Sequence, residues 1–194
     1  MQILFVCTGN QCRSVMGEYL MRAGLAARTG RPADGTDGGA EDGIDVRSAG
    51  TLQYPPHPAD PMVVELLAAD GIDATAHRST PLSAELSRAA NLILCFEREQ
   101  IADLLAQNPL AARRTFLFDD FVNVCARLRA DAAATPGDSP ADRLHEAMAS
   151  APMVRPFLPE AAETEDPHGK SREVFVRVHG EIARGVNTIL DAVA

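Results

Sequence analysis

A cysteine, an arginine and a serine near the N-terminus have the types and the spacing of a phosphate-binding loop. Five residues separate Cys7 from Arg13, and Ser14 follows directly. Between a strand and a helix, such a segment curls so that successive backbone N–H groups point inward, and the helix N-terminus adds partial positive charge. Gly9 and Asn10 are residue types that tolerate the positive φ angles that this curvature requires. The pattern therefore predicts a loop that binds an anion with its backbone.

The chemistry predicted for this loop is attack by a thiolate on phosphorus. Converging N–H groups and a nearby cation stabilise the ionised form of Cys7, which is the nucleophilic form. Arg13 offers a planar fork that binds two phosphate oxygens and stays charged. The hydroxyl of Ser14 can hydrogen-bond the sulfur and help it to leave. In the competing interpretation of the same residues, Cys7 is a buried core thiol and Arg13 is a surface cation.

Apolar runs and helix signals alternate along the chain. Residues 2–6 form a short apolar run that predicts a buried strand ending just before Cys7, and a helix is predicted over about 13–28. The other predicted elements are strands at 44–48, 91–96 and 114–118, a helix from Pro61 to Gly71 capped by Asp60, a short helix starting at Thr80-Pro81, a helix near 98–107, and a last helix with an apolar stripe from Phe175 to Val193. Strands that alternate with helices indicate an α/β fold with a mostly parallel sheet. Functional sites of such sheets lie at the carboxyl ends of strands, which is where Cys7 stands.

Length and composition limit the number of domains and the class of ligand that we expect. A chain of 194 residues is enough for one domain with a good core, and we expect one domain over 1–194. Segments near 29–43 and 130–150, rich in small and turn-forming residues, are predicted to be loop insertions. The formal net charge of −9 argues against a broad nucleic-acid-binding surface. A phosphorylated ligand must therefore be attracted by a local positive site.

The cysteines and the N-terminus indicate a reducing compartment. The four cysteines lack the dense spacing of a secreted disulfide framework, and because they include no CxxC pair a structural zinc site is not expected. The N-terminus has no basic segment of a signal peptide, and no apolar stretch approaches the roughly 18 residues of a membrane span. We therefore expect a cytoplasmic protein without a nucleic-acid or membrane partner. The sequence leaves the oligomeric state open and allows a weak homo-oligomer.

Several segments together resemble one family. VCTGNQCRSVMGE at 6–18 resembles the signature of low-molecular-weight protein tyrosine phosphatases. The other segments that resemble this family are VRSAGT at 46–51, HPADP at 57–61, GIDATAHRS at 71–79, NLILCFEREQ at 91–100 and EDPHG at 165–169. The resemblance covers most of the chain except residues 29–43 and about 119–160. It implies a four-stranded parallel sheet flanked by helices on both faces, the same class that the alternating pattern predicts.

The resemblance also implies a role for each matching residue. Cys7 matches the nucleophile, Arg13 the phosphate-binding arginine, and Asp166 the general acid. Two further sets are implied: a phosphate-binding loop of Thr8, Gly9, Asn10, Gln11, Cys12, Arg13 and Ser14, and a supporting polar network of Asn10, Ser14, Ser48 and His77. Cys12 matches a second loop cysteine that forms a reversible disulfide with the nucleophile under oxidation. No cofactor and no metal ion is implied.

Three candidate cleft residues bear on the substrate. The family often has Ile at the position of Gln11 in tyrosine phosphatases, and Thr in a protein-arginine phosphatase subgroup. An aromatic residue often follows the Asp-Pro pair, and His168 stands there instead. Tyr54 is the remaining candidate for an aromatic wall of the cleft. These departures leave the preference between phosphotyrosine and phosphoarginine open.

The predicted function is hydrolysis of phosphomonoesters, with a phosphorylated protein or a small aryl phosphate as substrate and phosphotyrosine as the favoured class. The Cys7 thiolate would attack phosphorus while Asp166 protonates the leaving oxygen, and the phosphocysteine would then be hydrolysed. Three alternatives remain. The loop also occurs in arsenate reductases, for which Cys95 has a suggestive strand position. A protein-arginine phosphatase keeps the reaction with another substrate, and a sensor would bind phosphate without turnover.

Overall fold

Four parallel strands form a single sheet in a computed structural model that describes residues 1–29, 43–131, 137 and 139–193. The strands are β1 (Gln2–Cys7), β2 (Asp45–Gly50), β3 (Leu92–Cys95) and β4 (Thr115–Leu117). Their spatial order is β2-β1-β3-β4, and all three pairings are parallel. In this register Cys7 lies opposite Gly50 at the carboxyl edge of the sheet. The predicted four-stranded parallel sheet is confirmed.

Helices connect the strands and follow the last of them. Among the described residues the helices are α1 (Arg13–Thr29), α2 (Pro61–Ala69), α3 (Ala84–Ala89), α4 (Arg98–Gln107), α5 (Phe118–Ala130), α6 (Pro140–Val154) and α7 (Arg172–Val193). Two 3₁₀ turns lie at Pro109–Arg114 and Arg155–Phe157. None of the helices in the described part of the chain has the length and apolar character needed to cross a membrane.

The two central strands, β1 and β3, are buried on both faces, as their continuous apolar runs predict. Ile3 and Phe5 of β1 point into one core, which they share with α1, α2, α5, α6 and α7. Leu4 and Val6 alternate to the other face and pack with residues of α3 and α4, Leu104 among them. The predicted flanking of the sheet by helices on both faces is confirmed.

Helix α2 begins and ends as its sequence predicts. The side chain of Asp60 accepts a hydrogen bond from the backbone N–H of Met62 at 2.9 Å and so caps the helix. At the other end Gly71 has a φ of 79°, and the N–H of Ile72 donates to the carbonyl of Leu67 at 2.9 Å. This pattern satisfies carbonyls that the last helical turn would leave unpaired. The start of α2 thereby places Asp60 at a fixed position.

The prediction that a helix starts at Thr80-Pro81 is wrong. Helix α3 begins later and is capped by Ser83, whose hydroxyl accepts from the third following backbone N–H at 3.1 Å. The chain before it stays extended because it pairs with the end of β2. The N–H of Gly50 donates to the carbonyl of Thr80 at 2.9 Å, and the N–H of Leu82 donates to the carbonyl of Gly50 at 2.6 Å. Pro81 forms the isolated parallel bridge with Gly50 between these two bonds.

The two segments predicted to be insertion loops are only partly described. Of the first, 29–43, residues 30–42 lie outside the described residues. Of the second, 130–150, residues 132–136 and 138 lie outside them. The prediction that 1–194 forms one domain stays a prediction.

The loop prediction for the second segment is wrong from residue 140 onward, where α6 begins. Ser139 caps this helix by accepting from the N–H of Asp142 at 3.2 Å. Leu144 and Ala147, one helical turn apart, are 1% and 0% exposed and belong to the core that α5 and α7 share. Packing of this apolar face against the core stabilises α6. The small residues of the segment and the turn-forming residues at its start are also typical of a loop, so composition alone did not predict the helix.

Candidate active site

The predicted phosphate-binding loop connects β1 to α1. The sulfur of Cys7 lies at its base, where it accepts a hydrogen bond from the backbone N–H of Asn10 at 3.3 Å and lies 3.0 Å from the hydroxyl oxygen of Ser14. Asn10 has a φ of 51°, the left-handed conformation that curls the chain around the sulfur. Cys7 is only 3% exposed, so a ligand reaches its sulfur by entering the loop.

Asn10 is held in this conformation by four contacts. Its side-chain Nδ2 donates to the hydroxyl oxygens of Ser14 at 2.9 Å and Ser48 at 2.7 Å, and its Oδ1 accepts from the backbone N–H of Thr80 at 2.7 Å. His77 Nε2 donates to the backbone carbonyl of Asn10 at 2.9 Å. Strained backbone persists where the surroundings over-determine it, and these bonds do so. The structure brings the four residues of the predicted supporting network together.

A buried carboxylate extends this network, and sequence reasoning gave it no role. Ser48 donates its hydroxyl proton to Glu18, which is 6% exposed and lies one turn into α1. Arg22 pairs with Glu18 at 2.7 Å and donates through Nε to the carbonyl of Val46 at 2.9 Å. Because a buried charge is costly without a partner, this ion pair makes Glu18 tolerable behind the loop.

Gly50 lets the end of β2 approach the loop closely. A Cβ atom at this position would lie 2.8 Å from the carbonyl oxygen of Thr8 and 2.9 Å from the backbone nitrogen of Asn10. Beyond it, the N–H of Thr51 donates to the carbonyl of Cys7 and that of Leu52 to the carbonyl of Thr8, both at 3.0 Å. The absence of a side chain is therefore required here by close backbone contact.

Arg13 lies inside the site at 1% exposure, with acids on two sides of its guanidinium. Nη1 lies 2.9 Å from Glu97 Oε1, and Nη2 lies 3.3 Å from Glu97 Oε2 and 3.1 Å from Asp166 Oδ2. Nη1 also donates to the backbone carbonyl of Thr164 at 2.9 Å. Burial opposes the charged form, but the hydrogen bond to Glu97 and the negative charges of Cys7, Asp166 and Glu97 outweigh it and raise the pKa of Arg13.

Glu97 is a site residue that sequence reasoning missed. It follows β3 by two positions, so it stands at the same carboxyl edge as Cys7, and that position was the available signal. Gln100 fixes its place: Nε2 of Gln100 donates to Glu97 Oε2 at 2.5 Å and lies 3.2 Å from the hydroxyl of Thr8. Gln100 is 1% exposed. The start of α4 is thereby joined both to Arg13 and to the phosphate loop.

Asp166 reaches Arg13 from the segment before α7. Its side chain is 41% exposed, and its Oδ1 accepts from the N–H of His168 at 3.3 Å. The segment is anchored at Thr164, whose N–H donates to the carbonyl of Phe96 at 3.0 Å and whose hydroxyl donates to Glu181 at 2.9 Å. The predicted acid thus lies at the mouth of the site with one face open to solvent.

The three predicted cleft residues do not form one wall. Tyr54 donates its hydroxyl to the carbonyl of Gly9 and lies 3.4 Å from Gln11 Oε1, while Gln11 Nε2 donates to the carbonyl of Pro58 at 3.1 Å. Burial, with the negative charges near it, raises the pKa of Tyr54, so its hydroxyl remains a donor. Tyr54 and Gln11 therefore line the loop together, whereas His168 lies beside Asp60, with a 3.7 Å distance between Nδ1 and Oδ2.

The thiols of Cys12, Cys95 and Cys125 lie in surroundings that favour their protonated form. Cys12 is 4% exposed, and Cys95 and Cys125 are 0% exposed. Burial is the largest cause that raises the pKa of each, and it brings that of Cys125 to about 12. For Cys12 the carboxylate of Asp60 and the charges of Cys7 and Asp166 add to this effect. Among the described residues, the atoms that could hold a metal ion belong to Cys12, Asp60 and His168.

This geometry is suited to phosphoryl transfer, and comparisons with known proteins agree. Residues 2–149 match the family model of low molecular weight phosphotyrosine protein phosphatase. A low molecular weight protein-tyrosine-phosphatase, Etp of Escherichia coli (strain K12), is 29% identical over 182 residues, 94% of this chain and 87% of Etp. The protein-arginine-phosphatase of Bacillus subtilis (strain 168) is 34% identical over 122 residues, 63% of this chain and 73% of its own length.

The fold gives the same assignment. The crystal structure of a low molecular weight protein tyrosine phosphatase from T. tengcongensis superposes with a TM-score of 0.68 and 25% identity, covering 98% of each chain. The family model spans the sheet, the phosphate loop and the helices up to α6. The chain therefore belongs to the low molecular weight phosphotyrosine protein phosphatase family of cysteine-dependent enzymes.

Proposed function

We propose that this chain hydrolyses phosphomonoesters, chiefly phosphotyrosine in proteins, through a phosphocysteine on Cys7. The observation that carries the proposal is the meeting of three groups at the carboxyl edge of the sheet. The Cys7 sulfur lies at the base of the loop, the guanidinium of Arg13 is buried beside it, and the carboxylate of Asp166 lies 3.1 Å from that guanidinium. A thiolate, a phosphate clamp and an acid are the groups that this reaction uses.

In the first step the thiolate of Cys7 attacks phosphorus, and the bond between phosphorus and the ester oxygen breaks. The loop N–H groups and Arg13 stabilise the charge on the equatorial oxygens. Entering phosphate oxygens take the place of the Asp166 carboxylate at Nη2 of Arg13. Asp166, in its protonated form, then gives its proton to the leaving oxygen.

In the second step water attacks the phosphorus of the phosphocysteine. Asp166 accepts a proton from this water, the bond between sulfur and phosphorus breaks, and inorganic phosphate leaves. The hydroxyl of Ser14, 3.0 Å from the sulfur, and the N–H of Asn10 stabilise the thiolate as it is released. Both steps use only groups of the chain, the substrate and water.

Phosphoarginine is the second candidate substrate, and the protein-arginine-phosphatase relative favours it. That relative is 34% identical to this chain. Here Gln11 and Tyr54 line the loop and would meet the group that carries the phosphate. A panel of matched phosphotyrosine and phosphoarginine peptides decides between the two through their kcat/KM values. A higher kcat/KM for phosphoarginine would overturn the phosphotyrosine assignment and leave the mechanism in place.

The enzyme proposal is tested with p-nitrophenyl phosphate and three variants. We expect Cys7→Ser to lose turnover and Asp166→Asn to lower kcat by about 10²–10⁴-fold, the usual range for a general acid or base. Asp103→Asn, an exposed aspartate of α4, is the matched control and should behave as wild type. Binding of phosphate without any turnover would instead identify a sensor.

Arsenate reduction through a relay of thiols is the less supported alternative. Cys95, its candidate relay cysteine, lies inside β3 at 0% exposure, and burial raises its pKa.

We propose a cytoplasmic, reducing compartment, because Cys7 must stay a free thiol to act. Peroxide should then inactivate the enzyme reversibly through a disulfide between Cys7 and Cys12. Recovery by reductant that is unchanged in Cys12→Ala would contradict this pairing.

A further inference from the structure

A thiol, a carboxylate and an imidazole meet beside the phosphate loop. The Cys12 sulfur, a carboxylate oxygen of Asp60 and a ring nitrogen of His168 all lie within 4.8 Å of one another. They come from three separate segments: the loop, the start of α2 and the segment that carries Asp166. Sulfur, imidazole nitrogen and carboxylate oxygen are the ligand atoms that zinc uses in proteins.

The distances fit one small cation after a modest adjustment. Zinc bonds of about 2.3 Å to sulfur and about 2.0–2.2 Å to nitrogen or oxygen place tetrahedral ligand atoms about 3.4–3.6 Å apart. His168 Nδ1 and Asp60 Oδ2 are already 3.7 Å apart. The imidazole is the movable partner, because the side chain of His168 is 64% exposed. A rotation of this side chain changes its distances to both of the other ligand atoms.

Each of the three atoms is available to a cation. Oδ1 of Asp60 caps α2 through the N–H of Met62, which leaves Oδ2 facing His168. Within the described part of the chain the Cys12 sulfur has no hydrogen-bond partner, although Cys12 is 4% exposed.

We propose that Cys12, Asp60 and His168 form a binding site for a zinc-like divalent cation. Three protein ligands leave one tetrahedral position open to water. On binding, the bond between the Cys12 sulfur and its proton breaks, a bond from that sulfur to the metal forms, and the proton goes to solvent. No electron is transferred, so no oxidant or reductant is needed. The site depends on His168, the residue that replaces an aromatic side chain after the Asp-Pro pair.

Occupation of this site would restrain the acid. His168 donates its N–H to Asp166, so a metal that holds the imidazole also holds the segment that must reach the leaving group. The metal would in addition keep Cys12 from pairing with Cys7. We therefore expect reversible inhibition of hydrolysis by Zn²⁺. This inhibitory consequence rests on the proposed phosphatase function, whereas the binding itself does not.

Binding is tested in the full chain with Co²⁺, which replaces zinc and reports on thiolate ligation through a charge-transfer band in the near ultraviolet. The Cys7→Ser variant serves as the background, because it removes the nucleophile as a competing ligand. We expect this variant to bind one equivalent of Co²⁺ and to show the band. Absence of binding or of the band at saturating Co²⁺ would overturn the proposal.

Two further substitutions in that background identify the ligands. Adding Cys12→Ser should abolish the band, and adding His168→Ala should weaken Co²⁺ binding by at least about tenfold, the lower limit for loss of even an indirect metal partner. His145→Ala, an exposed histidine of α6, is the matched control and should bind as the background does. Circular dichroism checks that each variant is folded. A band that survives Cys12→Ser, or an unchanged affinity in His168→Ala, would refute the assignment.

The two proposals fail in different ways. If wild type shows no hydrolysis but Cys7→Ser binds Co²⁺ through Cys12, the proposed function is wrong and the metal site stands. If wild type hydrolyses its substrate but Cys7→Ser binds no Co²⁺, the metal site is wrong and the function stands. Inhibition by Zn²⁺ that a chelator reverses, and that His168→Ala weakens, supports both.

Discussion

At the scale of single residues, the guanidinium of Arg13 is held from two directions. Glu97 pairs with it in a two-bond arrangement from the start of α4, and Asp166 and the carbonyl of Thr164 approach from the segment before α7. A buried guanidinium with fixed partners has one orientation. Binding two phosphate oxygens at once requires such a fixed orientation. We expect the contact with Asp166 to exchange with phosphate during turnover, whereas the contact with Glu97 remains.

Substitution of Glu97 tests this positioning. Glu97→Gln keeps the shape but removes the charge, and we expect kcat/KM to fall about 10–100-fold, because small misplacements of a catalytic group have effects of this size. Glu99→Gln, an exposed neighbour in the first turn of α4, is the control. Steady-state kinetics, with urea unfolding as a check on the fold, measures the effect. Wild-type kcat/KM in a folded Glu97→Gln protein would contradict it.

The four thiols should differ in their reactivity toward an alkylating reagent. Burial raises the pKa of Cys12, Cys95 and Cys125, so at pH 7 they are almost entirely protonated, and their thiolate fraction grows only as the pH rises. We expect iodoacetamide at neutral pH to modify Cys7 first and inorganic phosphate to slow that reaction. Peptide mass spectrometry after partial labelling measures the order. Faster labelling of Cys12 than of Cys7 would be incompatible with this account.

The sequence could predict the loop residues but not their partners. Cys7, Arg13 and Ser14 are close in sequence, so their spacing alone indicated a cradle. The contact of Arg13 with Glu97 joins residues 84 positions apart and exists only once β1 and β3 pair. His168 could be placed near the acid, but its approach to Asp60 depends on how the chain enters α7.

At the scale of elements, the close approach of β2 to the phosphate loop controls the shape of the site. Gly50→Ala would place a Cβ 2.8–3.0 Å from backbone atoms of Thr8, Gly9 and Asn10. Backbone cannot move aside as a side chain can, so we expect the loop to distort and kcat/KM to fall at least about tenfold. Phosphatase kinetics and affinity for inorganic phosphate measure this. Unchanged values for both would show that the contact does not shape the loop.

The sequence could predict the strands better than the helix boundaries. β1, β3 and β4 are short runs buried on both faces, and β2 alternates between exposed and buried residues at its start; both patterns are strong local signals. Thr80-Pro81 has the local form of a helix start, but pairing of Thr80 and Leu82 with Gly50 keeps the segment extended. Helix α6 was missed because its stability comes from packing against α5 and α7, which composition does not reveal.

At the scale of the whole molecule, α7 joins the segment that carries Asp166 to the core. Its apolar stripe from Phe175 to Val193 is buried, as the sequence predicts. Gly185 of α7 lies against α5, where an added Cβ would be 2.5 Å from the ring of Phe118. That ring is confined by Phe96, with ring centroids 5.2 Å apart. The two helices can therefore pack closely only with glycine at this position.

A pair of glycine substitutions tests this contact. Gly180→Ala, where the new Cβ meets only the flexible end of Arg184 at 3.2 Å, should stabilise α7 by about 0.5–1 kcal/mol. Gly185→Ala should be less stable than Gly180→Ala by about 1–3 kcal/mol, because overpacking of a full core has that cost. Urea unfolding of both variants measures the difference. Equal stabilities would mean that α5 and α7 have room to adjust.

The central claim, that the Cys7 sulfur carries the phosphoryl group during turnover, is tested most directly by rapid-quench mass spectrometry. The enzyme is mixed with p-nitrophenyl phosphate, quenched within one turnover, and digested. We predict a phosphoryl group bonded to sulfur on the peptide that contains Cys7, formed together with a burst of p-nitrophenol. Turnover at the full rate with Cys7 unmodified, or with the phosphoryl group on another residue, would contradict the account.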